Sequence, residues 1–256
     1  MKIRITENQY GQLVEQSLKD KLKLKLKKKA LEKLGLSWDK VMKLLDRLQA
    51  LQNPTPEDFD LLTNLSTTKL KAILKLIPSS KLNDQSIPSL YPIPIISTKL
   101  KKYINSCYGY RTATGTDRMH GGVDLYTQGI SNNQPLMATC AGTVVSATET
   151  GDCGGFIKLE CNNGDAVGYC HLRVINENLY GLKVPKGFPI GVSGGGSDPG
   201  TNKKEKGSGN SGGAHLHYIT WQGGKKINPI NMMSGGHTIP AGGRENRSGK
   251  FCDPSK

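Results

Sequence analysis

The residues able to do chemistry are few, and they cluster in the chain. Four of the five histidines fall in three short contexts: His120-Gly-Gly-Val-Asp124, Tyr169-Cys-His171-Leu172 and His215-Leu-His217. In a strand, residues i and i+2 point to the same face, so His215 and His217 project together. His120 and Asp124 are four apart and share a face on a helix or a strand. Gly121 and Gly122 argue against a helix there, which leaves a turn or strand. Two histidines and one aspartate form the mixed nitrogen and oxygen donor set of a catalytic zinc site, with a fourth position left for water. Spacing alone does not choose between His215 and His217 as the ligand. Two further histidines, uncoordinated, could move protons and stabilise an oxyanion. Each motif is weak alone, since an isolated H-x-H pair is more often surface decoration. All three in one Gly-rich region make a site the better reading. His237 lies in a Gly-rich tail and reads as an ordinary exposed histidine.

The segments that must position these residues alternate apolar residues with Gly- and Asn-rich turns. Gly142-Thr-Val-Val-Ser-Ala147, Phe156–Cys161, Val167–Leu172 and His215–Thr220 read as short strands. Asn162-Asn-Gly-Asp165 between two of them is a hairpin signal. This part of the chain is expected to be mostly antiparallel β with long loops.

The rest of the chain is of another kind. Residues 1–104 contain two of the 31 glycines, no cysteine and no histidine, whereas 21 of the leucines fall in residues 1–100. Tyr10, Val14, Leu18, Leu22 and Leu26 recur every four residues and predict a helix. The run Lys21-Leu-Lys-Leu-Lys-Leu-Lys-Lys-Lys29 alternates like a strand, but Leu and Lys are good helix formers and no β-branched residue interrupts them. A second helix is expected after Ser37, with Val41, Leu44, Leu45, Leu48 and Leu51 inward. A third is expected after Thr55, with Pro56 at its first position and Glu57 and Asp58 in its first turn. A fourth follows Ser66 and ends before Pro78, with Leu70, Ile73, Leu74 and Ile77 inward. Pro78, Pro88, Pro92 and Pro94 suggest an extended linker.

The expected fold class is therefore α+β. A basic helical module (1–77) and a Pro-rich linker (78–98) precede a mostly antiparallel β domain (99–234) and a Gly-rich tail (235–256). No apolar run reaches the ~18–20 residues of a membrane span. The opening MKIRITENQYGQ is not an ordinary secretory signal peptide. Net charge is +14 and both halves are positive, which favours an anionic partner. The plainer reading of the lysine run is a solvated helix face. Nucleic acid is not favoured, because no Arg/Asn/Gln cluster on one helix could read bases.

Residues 105–232 resemble the lysostaphin-type zinc endopeptidases that cut peptidoglycan peptides. Tyr108-Gly-Tyr-Arg111 is similar to the family's F-G-x-R opening, and His120-Gly-Gly-Val-Asp124-Leu125 to H-x-G-x-D. Pro135-Leu-Met-Ala138 and Ala141-Gly-Thr-Val144 resemble the paired P-V-x-A and D-G-x-V strands. Tyr169-Cys-His171-Leu172, Lys186-Gly-Phe-Pro-Ile-Gly191, Gly213-Ala-His215-Leu-His217-Tyr218 and Asn228-Pro229 follow in the family's order. The resemblance implies zinc held by His120, Asp124 and His217. It makes His171 and His215 the catalytic pair and gives Tyr110 a supporting place.

Three departures stand out. Gly194–Asn210 is longer than the family's usual loop and reads as a mobile basic rim. Cys140 replaces the usual Asp, and Tyr218-Ile-Thr220 lacks the acidic residue that often follows. None removes a ligand, so an active hydrolase of peptidoglycan cross-links is expected. The competing expectation is a virion structural or wall-binding protein with a vestigial peptidase fold. A wall hydrolase without an export signal points to a bacteriophage: an enzyme carried in the virion, or a lysin released from the host cytoplasm at lysis. The N-terminal module would then dock on other virion proteins. The six cysteines fit either disulfides outside the cell or reduced thiols packed as small hydrophobes.

Overall fold

The computed structural model describes residues 7–49, 56–85, 92–93, 104–111, 118–126, 134–197 and 203–233. The helices fall where the periodicity places them: α1 (Glu7–Lys33), α2 (Trp38–Gln49), α3 (Pro56–Thr63) and α4 (Thr67–Leu74). The Leu/Lys alternation is helical, as local propensity favours, and Ser66 is the N-cap of α4. Leu70, Ile73, Leu74 and Ile77 are buried. Leu51 and Thr55 lie outside the described residues. Among the described residues, no helix is long and apolar enough to cross a membrane.

The chain forms two compact units, Met1–Lys43 and Leu44–Lys256. In the first, Leu18, Leu22, Leu24 and Leu26 of α1 are exposed, while Leu31, Leu36 and Val41 are buried. The division falls well before the Pro-rich stretch expected to separate the domains. Within the second unit, the Asn176 side chain donates to the Leu62 carbonyl (2.8 Å), and the Thr67 hydroxyl lies 3.2 Å from Asn178 Oδ1. The described part of 78–98 is not simply extended either. It holds a short helix α5 (Ser79–Leu82) whose end accepts hydrogen bonds from Asn162 Nδ2 at the carbonyls of Leu82 (2.8 Å) and Asp84 (3.0 Å). The Pro92 carbonyl accepts from Met137 N at 3.0 Å. A proline loses its donor but keeps its acceptor, so Pro-rich chain can dock through carbonyls.

The β part is antiparallel throughout. Its strands are β1 (Ile104–Ser106), β2 (Gly109–Arg111), β3 (Arg118–His120), β4 (Val123–Tyr126), β5 (Pro135–Met137), β6 (Gly142–Thr150) and β7 (Gly154–Cys161). They continue with β8 (Ala166–Cys170), β9 (Leu172–Ile175), β10 (Lys183–Val184), β11 (Pro189–Ser193), β12 (His215–Gln222) and β13 (Lys225–Ile227), and a last helical turn α6 (Ile230–Met233). The main sheet runs β1-β4-β12-β8-β7-β6-β10, with β13 beside β12; β5-β11-β9 and β2-β3 form smaller sheets. The Asn-Asn-Gly-Asp segment joins β7 to β8, with Cys161 N donating to the Asp165 carbonyl at 2.8 Å.

Inward residues of β12 and β8 make the core. Tyr169 and Tyr218 are fully buried, and both hydroxyls meet Thr139 Oγ1, at 3.1 and 2.7 Å. Burial pushes both phenols above their ordinary pKa, so they stay protonated donors. The described cysteines are oxidised. Cys140 pairs with Cys161 and Cys153 with Cys170, and Cys107 is disulfide-bonded as well.

Candidate metal centre and its histidine pair

Strand β12 lies between β4 and β8, and its register sets His217 opposite both Asp124 and Cys170. His120 closes β3, and Asp124 is the second residue of β4. The turn between them needs Gly122: a Cβ there would stand 2.8 Å from His217 Cε1 and 2.5 Å from the Tyr218 carbonyl. The glycine of the motif thus lets the third imidazole approach the first two side chains.

Three donor atoms converge. His120 Nε2 is 3.1 Å from Asp124 Oδ1 and 3.0 Å from His217 Nδ1, and His217 Nδ1 is 2.7 Å from Asp124 Oδ1. Bonds of ~2.0–2.1 Å at tetrahedral angles place ligand atoms about 3.3 Å apart, so this triangle suits zinc. The protonation states fit too. His120 Nδ1 donates to the Cys107 carbonyl at 2.6 Å, which leaves the Nε2 lone pair of the neutral ring facing the other two groups. Burial pushes the Asp124 carboxyl up, but the surrounding imidazoles of His120, His217 and His215 outweigh it and hold the carboxyl well below the usual range. Burial pushes His217 below its ordinary value, against the pull of Asp124. Lone pairs aimed at one point from two imidazoles and a carboxylate call for a cation. Among the described residues, these three are the group able to hold a metal ion.

His171 and His215 stand beside this triangle. Their ring centroids are 4.7 Å apart, His171 lies 6.0 Å from the ring of His217, and His215 Nε2 is 3.6 Å from Asp124 Oδ1. His171 Nδ1 donates to the Ser208 carbonyl (2.8 Å), and His215 Nδ1 donates to the Gly213 carbonyl (2.8 Å). In each neutral ring the proton is therefore on Nδ1 and the lone pair on Nε2. Burial, together with the neighbouring His215 and His217, lowers the His171 pKa to about 4, so the ring is neutral at neutral pH. Its backbone sits at φ 63°, the left-handed region, alone among the described non-glycine residues. That geometry is held by the Cys153 carbonyl, which accepts from His171 N (2.8 Å), and by Gly194 N, which donates to the His171 carbonyl (2.9 Å).

Residues 118–229 match the pattern of Peptidase family M23. That stretch is similar to the M23 peptidase domain. An uncharacterized metalloprotease of Buchnera aphidicola subsp. Baizongia pistaciae is 29% identical over 139 residues, which is 53% of this chain and 33% of that protein. The chain thus spans about a third of the length of that relative. Among solved structures, a zinc containing peptidase from Vibrio cholerae aligns at 21% identity and TM-score 0.43, over 57% of this chain and 40% of its own. Lysostaphin aligns at 27% identity and TM-score 0.41, over 54% and 53%. A catalytic-domain mutant of the prophage-encoded M23 protein EnpA from Enterococcus faecalis aligns at 23% identity and TM-score 0.40, over 50% and 88%.

The five predicted side chains, His120, Asp124, His171, His215 and His217, meet in one place. The Tyr110 side chain and His237 lie outside the described residues. The sequence reading missed the backbone acceptors, namely the carbonyls of Cys107, Ser208 and Gly213. In the insertion before β12, read from sequence as a mobile rim, Gly194 and Ser208 are hydrogen-bonded to the histidine pair. Nothing in the residue types at those positions announces a carbonyl aimed at a histidine.

Proposed function

We propose that the chain is a zinc metalloendopeptidase that hydrolyses the cross-linking peptides of bacterial peptidoglycan, with His120, Asp124 and His217 as zinc ligands. The observation that carries this reading is the triangle of His120 Nε2, Asp124 Oδ1 and His217 Nδ1, with edges of 2.7–3.1 Å, next to two histidines with free Nε2 atoms. Zinc bound there supplies Lewis-acid polarisation of a peptide carbonyl and makes water nucleophilic near neutral pH. The protein's own part is proton handling and orientation. His171, neutral with its proton committed to Ser208, offers an Nε2 lone pair that takes a proton from the attacking water. The imidazolium so formed hands that proton to the leaving amine as the C–N bond breaks, which restores neutral His171, and His215 stands beside it to orient the reacting groups. Asp124 faces both the ligand set and His215, whose Nε2 lies 3.6 Å from Asp124 Oδ1.

The bonded cysteines fit an oxidising place of action, and the charge of +14 fits an anionic wall. We place the enzyme on the bacteriophage side of wall degradation, as a virion-carried hydrolase or a lysin, with the basic N-terminal helices contacting other virion proteins. The deciding experiment is digestion of purified peptidoglycans of known cross-link, with and without a chelator, the fragments being identified by mass spectrometry. Zinc-dependent release of peptides cut at one bond type supports the reading. Intact sacculi after incubation with the zinc-loaded chain overturn it.

A further inference from the structure

Residues 194–197 and 203–214, between β11 and β12, bury more polar groups than a surface connection needs. Glu205, Ser208 and Ser211 are 8%, 2% and 4% exposed. Glu205 Oε1 is 3.3 Å from an Arg173 guanidinium nitrogen, while Oε2 is buried with no hydrogen-bond partner among the described residues. A half-satisfied buried carboxylate costs stability, so its presence asks for another role. Arg173 lies two residues beyond His171, and the pair ties β9 to the insertion.

From Glu205 the contacts lead to the histidine pair. Glu205 N donates to the Gly196 carbonyl (3.1 Å), and Ser208 N donates to the Glu205 carbonyl (3.1 Å). The Ser208 hydroxyl donates to the Gly196 carbonyl (3.2 Å), and the Ser208 carbonyl accepts from His171 Nδ1 (2.8 Å). Gly207 permits the close fit: its φ is +76°, and a Cβ there would lie 1.9 Å from the Leu172 carbonyl oxygen. Ser211 N donates to Ser208 O (3.2 Å). The Ser211 hydroxyl lies 2.6 Å from the Gly213 carbonyl and 3.2 Å from His215 Nδ1. One folded segment therefore supplies the Nδ1 partner of both histidines.

We propose that Glu205 is a positioning residue: latched by Arg173, it fixes the insertion so that the Ser208 and Gly213 carbonyls keep His171 and His215 protonated on Nδ1. A neutral imidazole carries one N–H, and its partner decides which nitrogen holds it. With the insertion loosened, His171 exchanges between tautomers and its Nε2 is no longer a dependable proton acceptor. The activity arm of the test rests on the peptidase reading above; the spectroscopic arm does not.

The test uses the full chain, as Glu205→Gln, which keeps shape and removes charge, and as Arg173→Met, which breaks the pair from its more exposed side. Zinc content, kcat and KM on cross-linked muropeptides, and the imidazole ¹⁵N spectrum of His171 in metal-free protein are measured. Zinc content and KM should hold, kcat should fall about 10- to 100-fold, and the single Nδ1–H form of His171 should become a mixture. Arg173→Lys should restore much of the kcat. Wild-type kcat with one sharp Nδ1–H form in both variants overturns the proposal. If the wild type cleaves no peptide, yet Glu205→Gln mixes the His171 tautomers, the positioning role stands and the peptidase reading falls.

Discussion

The three groups of the donor triangle and the two histidines beside it are built differently. His120, Asp124 and His217 end or occupy strands, and Asp124 and His217 are register partners on adjacent strands. Sheet pairing brings Asp124 to His217, a convergence that moves only if the register slips, while His120 reaches them from the separate β2-β3 sheet through the Gly121-Gly122 turn. His171 follows the last residue of β8 at a strained φ of 63°, and its ring is held by a loop carbonyl. His215 opens β12 and leans on the same loop. Metal geometry is thus assigned to the sheet, and proton geometry to a connection. The two should fail separately.

The largest break should come from the triangle. His120→Ala, Asp124→Ala or His217→Ala should empty the site of zinc and abolish peptide hydrolysis, as read by elemental analysis and muropeptide digestion. Removing a histidine of the pair should be milder in kind. His171→Asn, chosen because Asn tolerates a positive φ, and His215→Ala should stay zinc-loaded while turnover falls ~10²–10⁴-fold. The sharpest comparison lies within β12. His215 and His217 share a face two residues apart, yet only His217→Ala should lose metal. The reverse pattern would exchange their roles.

Stability offers two smaller probes of the same contrast. Cys153 and Cys170 brace the backbone around His171. Replacing both with Ser should cost about 3 kcal/mol in chemical denaturation and should lower turnover more than zinc affinity. Equal loss of both would mean that sheet and loop are not independent. The second probe is pH. With a folded pKa of about 4 against an ordinary 6.5, the buried His171 binds fewer protons when folded than when unfolded. Its contribution is fully present above pH ~6.5 and is lost as pH falls towards 4. Metal-free protein should therefore lose roughly 1–3 kcal/mol across that window. His171→Gln should flatten the slope, and an unchanged slope would refute the buried neutral ring.

Much of the fold could be read from local pattern. The four-residue spacing of Tyr10 to Leu26 and the start signals at Ser37, Pro56 and Ser66 mark helices because backbone propensity and capping are local effects. Alternation in Phe156–Cys161 and His215–Thr220 marks strands for the same reason. The five side chains of the candidate site were legible as well, since only a few residue types can bind a metal or carry a proton near neutral pH.

Organisation on a larger scale was not legible. Leu62, Leu82 and Pro92 offer carbonyls to the β part, so the chain divides after Lys43 rather than at the proline-rich stretch. Nor could six cysteines at irregular spacing declare their partners, because pairing depends on which Cα atoms the sheet brings to 5.8 and 4.8 Å.

By itself the sequence determined which side chains can do the chemistry and, through strand parity, that His215 and His217 share a face. Only the tertiary structure decided which nitrogen of His120, His171 and His215 faces the site. That choice belongs to the carbonyls of Cys107, Ser208 and Gly213. Every residue carries a carbonyl, so its identity says nothing; what matters is where the folded chain aims it, and that is fixed by contacts among residues far apart in sequence.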